Sequence, residues 1–213
     1  MMEVKLNHIS KKLKSTVILD QINLEFRSGV IYGIHGRNGS GKTMLLRMIA
    51  GLIHPSEGEV VIDGKVLHKD IDFPQSVGVM IETPDFWKNY TGKKVLLTLA
   101  SIKKVIGIKE IEEVLVRVGL DPKDRRSIRK YSLGMRQRLG IAQAIMEHPD
   151  LLLLDEPTNA LDKSGVFMAE KIFREEAERG AIVIIASHNM QDLEMCDCLI
   201  EMDAGKIYSM EGI

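Results

Sequence analysis

The sequence predicts an α/β fold interrupted by a helical insert, and three observations carry that prediction. An apolar run at residues 30–34 feeds a glycine-rich turn and then an apolar-periodic segment at residues 44–50, a strand–turn–helix unit. Leu151-Leu152-Leu153-Leu154 and residues 181–186 are continuous apolar runs, as in parallel strands buried on both faces. Between these two parts, residues 91–147 change character and carry apolar residues at helical spacing.

Taken in order, residues 4–9, 17–26, 30–34 and 59–62 read as strands, the last running into the turn Asp63-Gly64. Residues 76–81 are a further short apolar run. Helical spacing covers 91–106, 109–118 and 132–147, with Gly107, Gly119 and Pro149 as stops. Residues 163–179 read as an amphipathic helix between the two buried runs. Residues 199–202, Asp203-Ala204-Gly205 and 206–208 read as a closing hairpin. The expected division is an α/β core in residues 1–82 and 149–213 and a helical subdomain in residues 83–148.

At 213 residues the chain is long enough for one sizeable core with a subdomain inserted. Its 45% hydrophobic and 28% charged content is ordinary for a soluble protein, and its apolar runs are too short to cross a bilayer. Lys5, His8 and Lys11 interrupt any apolar leader, so no signal peptide is expected. Cys196 and Cys198 lie too close for an unstrained disulfide and are read as reduced thiols of a cytosolic protein. A net charge of −1 argues against general nucleic-acid binding. Residues 85–150 nevertheless carry 14 Lys/Arg against 8 Asp/Glu. That excess fits solvated helix faces or a segment turned toward an anionic surface.

The glycine-rich turn reads Gly36-Arg37-Asn38-Gly39-Ser40-Gly41-Lys42-Thr43, followed by Met44. Strand, turn and helix start together aim several backbone N–H groups at one anion, aided by the helix dipole. Lys42 can reach β- and γ-phosphates, and the Thr43 hydroxyl can ligate Mg²⁺. This chain is expected to bind a nucleoside triphosphate. Asp155-Glu156 ends the Leu151–Leu154 run, and successive strand side chains diverge, so the two carboxylates can do different work. Asp155 suits the metal and its water shell; Glu156 suits orienting or deprotonating a water in line with the γ-phosphate.

Upstream, Ser132 in Tyr131-Ser132-Leu133-Gly134-Met135-Arg136 reads as the cap of a second helix. Asn159-Ala160-Leu161-Asp162 and Ser187-His188 follow downstream, His188 at the carboxyl edge of a sheet beside the expected phosphate site.

In this order the motifs resemble the ATP-binding subunit of ABC transporters along essentially the whole chain. The resemblance implies a P-loop NTPase of the ABC type, with a mixed β core, an antiparallel β subdomain and the helical insert. It implies an ATPase using ATP and Mg²⁺, cytoplasmic and peripheral on the inner face of the cell membrane. Its partners would be an integral membrane permease and a second cassette, in a homodimer or a heterodimer with a related ATPase subunit. In that head-to-tail dimer Ser132 and Gly134 of one subunit close over ATP held by Gly36–Thr43 of the other, Asp162 lies at the seam, and His188 contacts the γ-phosphate. A non-transport ABC ATPase or an ATP-dependent scaffold is the alternative; Glu156 and His188 speak against the scaffold.

Several positions depart from the family's pattern. Leu13 stands where an aromatic residue usually stacks on adenine. Glu82 stands for the usual Gln as a candidate metal ligand, Leu133 for a glycine, Met135 for Gln, and Met44 for a second hydroxyl. Glu82 with Ser132-Leu133-Gly134-Met135 resembles the branch tied to export of, or immunity to, lantibiotics and other peptides. Phe86 and Trp87 fit two roles equally, packing the insert or docking the permease.

Overall fold

The computed structural model describes residues 2–82 and 84–212; Thr83, in the expected first position of the insert, lies outside them. Strands β1 (Glu3–Leu13), β2 (Thr16–Arg27), β4 (Glu57–Ile62) and β5 (Lys65–Val66) form an antiparallel sheet in the order β2-β1-β4-β5. A second sheet runs β10-β9-β3-β8-β7-β6, built from β3 (Ile31–His35), β6 (Val77–Met80), β7 (Leu151–Asp155), β8 (Ile182–Ser187), β9 (Cys198–Asp203) and β10 (Lys206–Gly212). Its strands are parallel except for the β9–β10 hairpin.

The six-stranded sheet divides the interior into two cores. Alternation along β7 and β8 does the dividing, because successive strand residues point to opposite faces. Leu151, Leu153, Ile182 and Ile184 face helix α1 (Lys42–Ile49) and the apolar side of the antiparallel sheet, including Leu6, Ile9, Leu19 and Phe26. Leu152, Leu154, Val183 and Ile185 face helix α5 (Lys163–Glu178) and the insert. The insert, lying between β6 and β7, consists of α2 (Gly92–Lys103), α3 (Ile108–Arg117) and α4 (Leu133–Ile145). Because both faces of β7 and β8 are covered, neither strand alternates with polar residues; all of Leu151–Asp155 and Ile182–Ser187 is buried.

Charge also ties the insert to the core. Glu176 on α5 is 2% exposed and accepts from Arg117 of α3 at 2.6 Å and Arg179 at 3.0 Å. Arg117 meets Glu175 as well, at 2.8 Å. Breaking one arm of such a buried network strands the remaining charge.

Sequence and structure differ mainly at element ends. The second helix stops at Lys103, three residues early, because Lys104 turns left-handed at φ 59. Helix α1 begins at Lys42, two residues before its apolar pattern does. The short β5 carries no pattern of its own and exists through its pairing with β4.

Candidate active site at the carboxyl edge of the sheet

The parallel strands all end at one edge, and each delivers a polar residue there. The glycine-rich turn follows β3, Asp155 and Glu156 end β7, Ser187 and His188 end β8, and Glu82 lies two residues beyond β6. These groups are far apart in sequence and become neighbours only through strand register.

Helix α1 has no side-chain cap; Gly41 precedes it at φ 109, and Gly39 is left-handed as well. A cavity of about 320 Å³ opens onto this helix start, lined by Asn38, Gly39, Gly41, Lys42, Thr43 and Met44, with Asp155 and Glu156 opposite and Ile18 at the side. Uncapped N–H groups facing a cavity suit an anion. At the base of the turn, the Ser40 hydroxyl is buried beside Gly36 and has no hydrogen-bond partner among the described residues.

Lys42 is 6% exposed, and its Nζ donates to the carbonyls of Gly36 at 2.6 Å and Arg37 at 3.2 Å. Burial lowers its pKa, opposed by the charges of Glu156 and Asp155. Phosphates are the natural counter-charge for such a lysine. Thr43 Oγ1 donates to Asp155 Oδ2 at 2.6 Å. Burial pushes the Asp155 carboxyl up, while the Thr43 hydrogen bond pulls it down.

Glu156 turns away from Asp155, with a left-handed backbone at φ 49. Its Oε1 accepts from the His188 backbone N–H at 2.9 Å and lies 2.6 Å from His188 Nδ1. Its Oε2 lies 3.0 Å from Ser187 Oγ. The carboxylate is thus held by three groups of the β8 end while its neighbour is held by α1. Glu82, also left-handed at φ 65, forms an ion pair with Arg47 of α1.

Oxygen donors of this kind fit Mg²⁺, which takes one or two carboxylates together with phosphate oxygens and water. Among the described residues no group of three His, Cys, Asp or Glu makes a metal site unaided. Thr43 and Asp155, joined by their hydrogen bond, could supply part of a shell that a nucleotide would complete. A larger open groove of about 1010 Å³, beside Met2 and the end of α5, is lined by Glu3, Asp63, Asp150 and Glu178 against the single cation Arg179 among the described residues. Its charge repels polyphosphates.

The remaining expected residues sit elsewhere. Ser132 caps α4, its Oγ accepting from the Met135 N–H at 3.1 Å, and Gly134 follows in the first turn. Neither lines the cavity at α1. Asp162 caps α5; the Gly165 N–H and the Ser164 hydroxyl hold its carboxyl below the usual range. Leu13 is exposed at the end of β1, and the residue that reaches the α1 cavity from this hairpin is Ile18. Phe86 packs against the helical core, whereas Trp87 is 51% exposed beside Tyr90. Both cysteines are free and buried, and burial pushes the Cys196 thiol up to about 12.

Three contacts went unread in the sequence. Gln137 donates from Nε2 to the carbonyls of Glu156 at 2.9 Å and Pro157 at 2.8 Å, pinning α4 to the segment just beyond β7. A signal existed: Gln137 is polar at a buried position one turn before Ile141 and two before Ile145. Arg138 lies 3.5 Å from Asp162, and Arg47 reaches Glu82; no sequence pattern announces either.

With that geometry in place, comparison with known proteins is decisive. The ABC transporter family model matches residues 19–159. The chain belongs to the ABC transporter family. An uncharacterized ABC transporter ATP-binding protein of Bacillus subtilis, YybJ, is 46% identical over 99% of this chain and 97% of its own length. The bacitracin transport ATP-binding protein BcrA of Bacillus licheniformis is 39% identical over 90% of this chain and 63% of its own. The lantibiotic transport ATP-binding protein SrtF of Streptococcus pyogenes is 32% identical over 96% of this chain and 88% of its own. Among solved structures, a post-hydrolysis dimer of an ATP-binding cassette bound to ADP and Pi superposes at TM-score 0.87. It is 25% identical and is covered over 98% of both chains. As an ABC cassette this chain is an ATPase, and cassettes of this family dimerise. No helix among its described residues is long and apolar enough to cross a membrane.

Proposed function

We propose that this cassette hydrolyses Mg²⁺-ATP as the motor subunit of a transporter for peptide antibiotics. The observation that carries the reading is the split of Asp155 and Glu156, one held by Thr43 at the phosphate-binding helix and the other by Ser187 and His188. That division matches two tasks, metal binding and water activation. The likeness to bacitracin and lantibiotic transport subunits supports the cargo class.

In this reading the N–H groups of Gly39, Gly41 and Lys42, with the Lys42 ammonium, bind the β- and γ-phosphates. Gly36, Asn38 and Ser40 shape the loop, and Met44 contributes its N–H. Thr43, Asp155 and Glu82 are the metal-facing oxygen donors. Bound Mg²⁺ would offset charge on the transferring phosphoryl group. Glu156 orients and deprotonates the attacking water, and His188 faces the γ-phosphate. Leu13, with Ile18, supplies aliphatic contact to the base.

The partner cassette, identical or related, supplies Ser132 and Gly134 over the nucleotide, with Asp162 at the seam. Two facts favour a composite site: Ser132 and Gly134 begin a helix yet lie outside the α1 cavity of their own chain, and the solved relative is a dimer. The exposed Trp87 loop is the docking point for a membrane permease, which places the cassette peripherally on the inner face of the membrane.

Co-expression with the candidate permease and pull-down from detergent-solubilised membranes tests the assembly. Retention of the wild-type cassette, loss on Trp87→Glu, and peptide-stimulated ATP turnover in the complex are expected. A cassette that turns over ATP but never co-purifies with a polytopic membrane protein overturns the transport role.

A further inference from the structure

The register of β6 and β7, Met80 opposite Leu154, brings the residues just beyond both strands to one place. Glu82, Asp155 and Glu156 consequently line a single cavity of about 380 Å³. Three carboxylates gathered there repel one another and any incoming polyphosphate. Two of them have partners already described, Thr43 for Asp155 and the β8 end for Glu156. The third, Glu82, is held by Arg47.

Arg47 occupies a telling position. It lies four residues after Thr43 on α1, so one face of this helix presents both side chains. Thr43 holds a carboxylate from the end of β7, and Arg47 holds one from beyond β6. The pair is partly open to water, with side chains 34% and 62% exposed. Such pairs are weak and exchange readily.

We infer that Arg47 is a positioning residue that engages the Glu82 carboxylate in an ion pair in the nucleotide-free cassette and releases it to the divalent cation that arrives with ATP. The inference rests on the Mg²⁺-ATP reading above. While paired, Glu82 presents less negative charge to the entering phosphates. Once the cation is present, the same carboxylate has a stronger partner than one exposed guanidinium. A glutamine at position 82 would carry no charge and need no such keeper.

The readout is the Mg²⁺ enhancement of nucleotide binding: the affinity for trinitrophenyl-ATP in Mg²⁺ divided by that in EDTA. It is measured on the full chain carrying Glu156→Gln to stop turnover. Arg47→Gln frees Glu82 and should raise the enhancement by roughly two- to fivefold, the range of an exposed pair. Arg47→Lys should lie near the parent. In a Glu82→Gln background the Arg47→Gln change should have no effect. An unchanged or lowered enhancement in Arg47→Gln overturns the inference. So does an equal rise in the Glu82→Gln background, which would mean that Arg47 acts only as a distant positive charge. Thr43→Ala separates this from the underlying reading. Enhancement that Thr43→Ala abolishes but Arg47→Gln leaves alone defeats the keeper role only. A parent with no Mg²⁺ enhancement defeats both.

Discussion

Two helices begin at residues expected to meet phosphate, and their starts are finished differently. At α1, Gly41 supplies no side-chain cap, the helix opens on a cavity, and a buried lysine stands beside it. At α4, Ser132 already satisfies the Met135 N–H, and the neighbouring Leu133 is 52% exposed. The backbone tells the same story. A Cβ on Gly41 would meet Met202 Cε at 2.8 Å and Leu19 Cδ2 at 2.9 Å from a left-handed residue, whereas one on Gly134 would meet only the Ala160 carbonyl at 3.1 Å. The first start has, within its own chain, uncapped N–H groups, a cavity and a counter-charge, the features of an anion site. The second is a capped end, and under the proposed composite site it meets phosphate only when a partner cassette brings it. Capping residues therefore mark helix starts in general, while an uncapped start beside a cation marks one that expects a ligand.

The largest effect should come from the chemistry at the first start. Glu156→Gln should lower ATP turnover at least about 100-fold while ATP still binds, as expected for loss of a general base. With ATP, light scattering on this variant should report a doubled mass. Turnover at the wild-type rate would remove Glu156 from its role. Next, Lys42→Ala should weaken ATP binding by roughly 100-fold, about 3 kcal/mol, because the proposed charge-assisted contacts to the β- and γ-phosphates would be lost. Isothermal titration checks this, and a change below fivefold would make α1 no more special than α4.

Gly41→Ala should cost about 2 kcal/mol of stability in urea titrations, since φ 109 and the close contacts combine. The same substitution at Gly134 should cost less than about 1 kcal/mol; equal costs would erase the contrast. Ser132→Ala should lose about 1 kcal/mol through its cap and leave monomer ATP affinity within twofold. Ser132→Arg in the Glu156→Gln background should prevent the ATP-dependent doubling of mass. A dimer indifferent to that change would place Ser132 outside the composite site.

The smallest effect concerns the buried carboxyl. Burial raises the Asp155 pKa, so the folded chain keeps this proton to higher pH than the unfolded chain does. Stability therefore falls as pH rises from the ordinary carboxylate range through the raised value. Asp155→Asn should match wild type in acid and exceed its nucleotide-free stability at neutral pH by about 1 kcal/mol or less. Urea midpoints across pH check the sign, and a variant less stable at neutral pH would contradict the burial argument.

Much of this was legible in the chain. The glycine-rich turn, the apolar runs and the helical spacing are local patterns, and local patterns survive without tertiary context. So do the roles of Lys42, Thr43, Asp155 and Glu156 as candidates, because their chemistry depends on residue type and neighbouring strand or helix. Element ends were less legible, as at Lys104, where a single left-handed residue stops α2 inside an apolar pattern. Ile18 was invisible for a different reason. Only the turn at residues 14–15 and the pairing of Leu13 with Thr16 decide which residue of the hairpin reaches the α1 cavity.

The sequence by itself determined that a strand feeds a phosphate-binding turn, that two buried parallel strands follow a helical insert, and that two acids end one of them. Covalent neighbours and hydrophobic period suffice for that. The tertiary structure alone decided which acid takes which partner. Thr43 meets Asp155 across 112 positions and His188 meets Glu156 across 32, through the register of β3, β8 and β7. It also decided that Arg47 should meet Glu82 and Gln137 the Glu156 backbone. Such contacts are set by strand order and by the docking of α4 on the sheet, and no spacing along the chain encodes a distance between elements brought together only by packing.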